Sequence, residues 1–512
     1  MNRINFKRIF FVFAICLSLL VSSPPKSALA QSTTITFNVN STDDRVDANP
    51  GDGVCATSNP VRCTLRAATM EATSIITSRD TSIFIFLEPT TYTLTLQSNN
   101  TDIRLSTVRA DNNVKITIEG NHGVATIQGD ANWSTAIIST DSTFNNDLPS
   151  NTTLRNLIIQ NGHNSAIFGG GFFENVTIRN SSAFGSSGGG ILTFAPLTCL
   201  NCVITNNSAS SGGGIFAFAP VTCLNCVISN NSASSGGGVF IQLFNDYTIP
   251  AGRSDYLFQN TIISDNQAYY GGGIFLRGED GVNSLKIDKT TIARNQAEKD
   301  GGGIFVDGEV EVNTLMLQLF TSTISGNTAK GNGGGVMIDE FGIARILDST
   351  IAFNNADVDR VGGGDGGGIF VFTPEENFIT NTILAGNEDL SSRVKHRDCS
   401  GIIESGGYNL LQSPQGCTFT GSLTGNILNQ SPNLLPLDFY LGNDVTQTPP
   451  QGLTPTHAYP PGSLGAGVDD GNPAGCIGTT AQNGVSRHLA ATGGGGPGNC
   501  DIGAFELVGP DL

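Results

Sequence analysis

Two short cysteine pairs invite a chemical reading first. Cys199-Leu-Asn-Cys202 and Cys223-Leu-Asn-Cys226 have the spacing at which paired thiolates close on a tetrahedral zinc ion. A second candidate is the loop that carries Asp43, Asp47, Asn49 and Asp52. Its oxygens suit calcium, although the bidentate Glu of an EF-hand is missing, and the competing reading is a turn-rich loop whose Asx side chains bond their own backbone. Apart from calcium no cofactor is expected. A third set is aromatic: Phe216, Phe240, Phe275, Phe305 and Phe370 each follow a glycine triplet by one residue. Flat apolar faces in a row would suit sugar rings or a partner protein. Catalytic residues are not expected, since none of the five His lies near another and the carboxylates of the repeats are scattered.

These residues are positioned by a repeat. The 24 residues from Gly188 to Ser211 recur from Gly212 to Ser235 with four mild substitutions, and the triplet returns at Gly271, Gly301, Gly333 and Gly366. A period of roughly 24 to 35 residues means stacked coils. Two strands are readable in each unit. One is marked by Ile191, Ile215, Val239, Ile274, Ile304, Val336 and Ile369, the other by Ile178, Ile204, Ile228, Ile263, Ile292, Ile324, Ile351 and Leu384. Period-two apolarity points these side chains inward, and with no helical crossover the expected fold is all-β, a right-handed parallel β-helix. Alternation then sends the Phe column outward, where so large an apolar ladder must be covered, either by packing inward at the Gly-rich corners, by the insert from Leu243 to Tyr256 and the C-terminal region, or by a ligand docked on it. Alternation also sets Cys202 and Cys226 inward but Cys199 and Cys223 outward, which leaves no four-ligand cage for zinc. Asn207, Asn231, Asn266, Asn295, Asn327, Asn354 and Asn387 are expected at left-handed corners.

Only 14% of residues are charged and the net charge is -18, so nucleic acid and anionic membrane surfaces are poor partners. Arg3, Lys7 and Arg8 precede an apolar run from Ile9 to Val21 and then Ala28-Leu29-Ala30, a secretory signal with cleavage expected after Ala30. No later run is long enough for a transmembrane helix. Of the eleven cysteines, removing Cys16 leaves ten, an even number that suits an oxidising compartment. The expected local bridges are Cys55 with Cys63, Cys399 with Cys417, and Cys476 with Cys500. From Leu65 to Ile76 apolar residues fall at helical spacing, which predicts a short helix capping the solenoid. The chain then divides into a signal peptide (1–30), an N-terminal cap (31–80), a β-helix (81–400) and an irregular C-terminal region (401–512).

Asp47, Asn49, Gly51, Asp52, Gly53, Cys55 and the run Cys63-Thr64-Leu65-Arg66-Ala67-Ala68 resemble the bacterial CSLREA domain, with Thr64 for the usual Ser and Ala67 for the usual Glu. Gly407-Tyr408-Asn409-Leu410, Thr456-His457, Pro461-Gly462-Ser463, Gln482, Gly484, Arg487 and Cys500-Asp501-Ile502-Gly503-Ala504-Phe505-Glu506 resemble the C-terminal signature of choice-of-anchor Q proteins. The coils resemble the pectin-lyase-like class, and their GGGIF units look like those of polymorphic outer membrane proteins. These resemblances imply an exported protein, secreted or at the cell surface, with an adhesin-like role toward an extracellular glycan or protein. Two rival functions remain, a polysaccharide lyase or glycoside hydrolase and an inert spacer. Of the motifs that resemblance to polygalacturonases would imply, Asn100-Thr101-Asp102, His122-Gly123 and Asp469-Asp470 occur, but out of order.

Overall fold

A computed structural model describes residues 32–507 except 76–79, 97–102, 105–113, 141–150, 244–255, 279–283, 309–315, 373–375, 442–443, 446–451, 461–465, 474–475, 477–478 and 488–499. The expected signal peptide, 1–30, lies outside the described residues. The body is a stack of coils joined by parallel pairing, and the pairing extends beyond the expected 81–400 at both ends. Thr33–Asn38 already pairs with Thr81–Leu87, and Leu410–Leu411 still pairs with Ile427–Leu428.

One coil illustrates the plan. Ile191–Thr193, Leu197–Leu200 and Val203–Thr205 are three strands in sequence, paired residue for residue with Ile215–Ala217, Val221–Leu224 and Val227–Ser229 of the next coil. The inward residues stack into columns and form one continuous core, in which Ile191, Ile215, Ile204, Ile228 and Ile263 are all fully buried. Helix α1 (Leu65–Ser74) packs Leu65, Ala68 and Ala72 onto the first coils. Its N-cap is Thr64, whose hydroxyl accepts the Ala67 N–H at 3.1 Å.

Glycine triplets are required for three separate reasons. The first glycine is left-handed, as at Gly212 (φ 61°), and a Cβ there would lie 2.7 Å from the Cβ of Phe216. At the second, Gly213, a Cβ would meet the carbonyls of Gly237 at 2.4 Å and Ser232 at 2.5 Å in the next coil. At the third, Gly214, it would press on the Gly238 carbonyl at 2.5 Å and crowd the Asn231 amide at 3.1 Å. Coils approach here too closely for any side chain.

The asparagines behave differently from expectation. The left-handed corner is the residue before each of them, as at Asn206 (φ 56°), Asn230 (φ 55°), Asp265 (φ 58°) and Gly326 (φ 65°). Asn207 through Asn387 instead point inward as a buried ladder. Asn295, for example, accepts both the backbone N–H and the amide of Asn266 at 3.0 Å and donates to Ile263 O and Asn327 Oδ1 at 2.9 Å. A primary amide has the donors and acceptor to repeat this bond set at every coil. The ladder ends on Asp398, which accepts from the Asn387 amide at 3.0 Å.

The C-terminal region folds back along the stack. It covers the outward threonines of the third strand: Thr323 meets Thr456 at 2.9 Å and Gln482 Oε1 at 2.6 Å, and Thr350 accepts the Ala504 N–H at 3.1 Å. Tyr440, Tyr459, Ile502 and Phe505 pack there against Ile383 and Leu410.

Candidate functional site

The expected cation loop does not assemble a cage. Asp47 accepts the N–H groups of Asn49 and Ala56 at 2.8 and 3.0 Å, Asp52 accepts that of Val54 at 2.8 Å, and Asp43 pairs with Arg45 at 3.7 Å. Their oxygens serve the loop itself. Sequence reasoning missed Glu71, which is fully buried on α1 and accepts the Gly51 and Gly53 N–H groups at 2.5 Å each. Among the described residues no group of three or more His, Cys, Asp or Glu is arranged to hold a metal ion. The three expected disulfides are formed, with Cα atoms 5.1, 5.2 and 6.3 Å apart.

The zinc-like pairs also differ from expectation. Cys199, Cys202, Cys223 and Cys226 all point inward and are at most 1% exposed. Asn201 and Asn225, left-handed at φ 54° and 55°, turn the chain between the cysteines of each pair, so the alternation of a continuous strand does not carry across.

The Phe column leaves the coil outward but is not open to solvent. Phe216, Phe240, Phe275 and Phe305 are 2 to 6% exposed and form, with Met337, a core cluster of their own. Consecutive rings lie 4.6, 4.8 and 5.1 Å apart, and a Cβ on the first glycine of each triplet would lie 2.7 to 3.0 Å from the Cα or Cβ of that Phe. As a ladder of exposed docking rings these four are therefore corrected; only Phe370, at the end, is partly open.

What the ladder presents instead are its two edges. On one side the outward column runs Phe194, Phe218, Gln242, Arg277, Asp307, Asp339 and Phe372. Phe194 and Phe218 stack at 4.5 Å with 7° between their planes, Arg277 donates to Asp307 at 2.8 Å and lies 5.3 Å over the Phe275 ring, and Phe372 is exposed. On the other side stand Tyr270, Asp300, Asn332 and Asp365, whose side chains and backbone link at 2.6 Å (Asp300 to the Asn332 N–H) and 2.9 Å (Asn332 to the Asp365 N–H). Burial pushes the Asp300 carboxyl above its ordinary value, and burial together with the fields of Asp307 and Asp300 does the same to Asp339.

Gln242 marks a gap in this face. It is 7% exposed, is paired in register with Arg277, and its Nε2 has no hydrogen-bond partner. A buried donor left empty costs roughly 1–3 kcal/mol.

Fragments resembling polygalacturonase motifs do not meet here. Residues 100–102 lie outside the described residues, His122 occupies a left-handed turn (φ 58°), and the Asp469 N–H donates to Asp501 in the C-terminal region.

The profile of a family described as the right handed beta helix region matches residues 144–320. The fold is accordingly a right-handed parallel β-helix. The crystal structure of a pectate lyase, Pel9A, is similar over 92% of this chain and 97% of that one, at 12% identity and a TM-score of 0.45, too distant to carry an argument about function. No curated protein matches the chain.

Proposed function

We propose that this chain is an exported, surface-associated or secreted binding protein, adhesin-like and non-catalytic, that holds a neutral glycan on the outer face of its glycine-triplet strands. The stacked pair Phe194 and Phe218 carries the reading: half-buried rings 4.5 Å apart on the outer face, with Phe372 exposed further along the same column, suit the apolar faces of sugar rings. Asp307 and Asp339, half-buried in the same column, accept from sugar hydroxyls.

Charge decides between neutral and acidic substrates. Four carboxylates, including Asp365, stand on these edges with Arg277, Lys299 beside Tyr270 and His396 beside Asp365, on a chain of net charge -18. A polyuronate, the substrate of the lyase alternative, would be repelled. Export rests on the signal-like first thirty residues and on the three disulfides.

The test is a glycan array carrying neutral and uronate polymers, run beside an absorbance assay for unsaturated uronates. Binding to neutral glycans, lost in Phe372→Ser at unchanged melting temperature, is the expected result, since Phe372 is exposed and belongs to no core cluster. A rise in absorbance on polyuronate would instead establish the lyase, and binding only to protein surfaces would refute the glycan.

A further inference from the structure

Six of the ten cysteines after Cys16 are paired in disulfides, yet four fully buried ones are free in the middle of the same stack. Cys199 and Cys223 are register partners on adjacent parallel strands, so their Cα atoms lie about 4.8 Å apart. That is inside the window for a disulfide, about 4.4–6.8 Å. Cys202 and Cys226 occupy a different column, which continues as Thr261, Thr290 and Ser322. Cys226, Thr261 and Thr290 each reach back to a carbonyl of an earlier coil: Cys226 Sγ to Cys199 O at 3.5 Å, Thr261 Oγ1 to Cys223 O at 3.3 Å, and Thr290 Oγ1 to Phe258 O at 3.2 Å. The Cys226 thiol therefore leans toward the coil that holds Cys199 and Cys202. The four thiols thus lie together in the core, each buried and free.

We infer that these thiols are a modification site that closes into two bridges between coils, Cys199 with Cys223 and Cys202 with Cys226, stapling the two near-identical units together. The co-reactant is a small disulfide or a disulfide oxidoreductase, acting before the coils seal. The thiolate of Cys223 attacks one sulfur of the oxidant, forming a mixed disulfide and expelling one thiolate. Cys199 then attacks the Cys223 sulfur and expels the second. The two protein protons end on the two expelled thiolates, and two electrons pass from the cysteine pair to the oxidant disulfide. The same exchange in the opposite order, with Cys199 leading, gives the same bridge, and Cys202 with Cys226 closes in the same way.

The duplicate units provide a direct assay. Phe216 and Phe218 lie between Cys202 and Cys223, so chymotrypsin separates the two coils. The full chain is refolded in a glutathione redox buffer, denatured with an alkylating agent present, and digested without reductant. Expected are no alkylated central cysteines and one disulfide-linked product containing all four, which falls into two peptides on reduction. Four alkylated thiols in a chain whose other six cysteines are paired would overturn the inference. So would two peptides that separate without reductant, which signals bridges within each coil, or stoichiometric zinc that protects the thiols.

Discussion

Replacing Asn295 by Ala removes one rung from the middle of the asparagine ladder. Four hydrogen bonds disappear: two from Asn266 into Oδ1, one to Ile263 O and one to Asn327 Oδ1. Asn327 Oδ1 keeps the Asn295 backbone N–H at 2.9 Å, so it remains satisfied. The backbone N–H of Asn266, one of its amide hydrogens and the Ile263 carbonyl lose these partners inside the core. At about 1–3 kcal/mol for each buried orphan, with partial relaxation, the loss should be roughly 3–6 kcal/mol. Each coil is supported only by its neighbours, so the damage should appear locally before it appears globally. Hydrogen exchange on the folded protein should show opening centred on residues 263–328, and urea unfolding should split into two transitions. A single transition displaced by less than about 1 kcal/mol would refute the ladder as a structural element, since that is what one ordinary hydrogen bond contributes.

Gly213→Val puts a branched side chain 2.4 Å from the Gly237 carbonyl, and the protein should lose its protease-resistant body; a resistant full-length variant would show that coils are not in contact at the triplets. Phe275→Ser should lower stability by about 3–5 kcal/mol in thermal melts, because the ring is 2% exposed. An unchanged melt with lost ligand binding would show that the rings are open in solution. Desolvation raises the Asp398 carboxyl from 3.8 to about 7. The folded state then holds a proton that the unfolded chain releases, so this group's stabilisation is present below about pH 4 and is lost as pH rises through 7. Asp398→Asn should flatten that decline in denaturant midpoints measured from pH 4 to 8, and an unaltered slope would contradict the shift.

Much of this architecture could be read from residue types alone. Strand parity at Ile191, Ile204 and their equivalents was legible because every coil repeats it, and α1 was legible from Leu65, Ala68 and Ala72 at helical spacing. Corners were harder. Asn206 and Asn207 are the same residue type side by side, and only the backbone distinguishes the left-handed one from the one that enters the core. Likewise Asn201 was hidden as a turn within a run that reads as a continuous strand, which reversed the facing of Cys199. For the Phe column the alternation leaves open whether the protein or a ligand covers the rings, and the structure covers Phe216, Phe240, Phe275 and Phe305 with one another. Docking of Thr456, Gln482 and Ala504 onto Thr323 and Thr350 is long-range. No spacing in the sequence announces it.

The central claim concerns one face of the solenoid, and hydroxyl-radical footprinting of the wild-type protein with and without a saturating neutral oligosaccharide tests it most directly. The account predicts protection at Phe194, Phe218 and Phe372, beside Gln242 and Arg277, with no change at the exposed Phe184 and Phe353 elsewhere on the surface. Protection at Phe184 or Phe353 with Phe194 and Phe218 unaffected would contradict it.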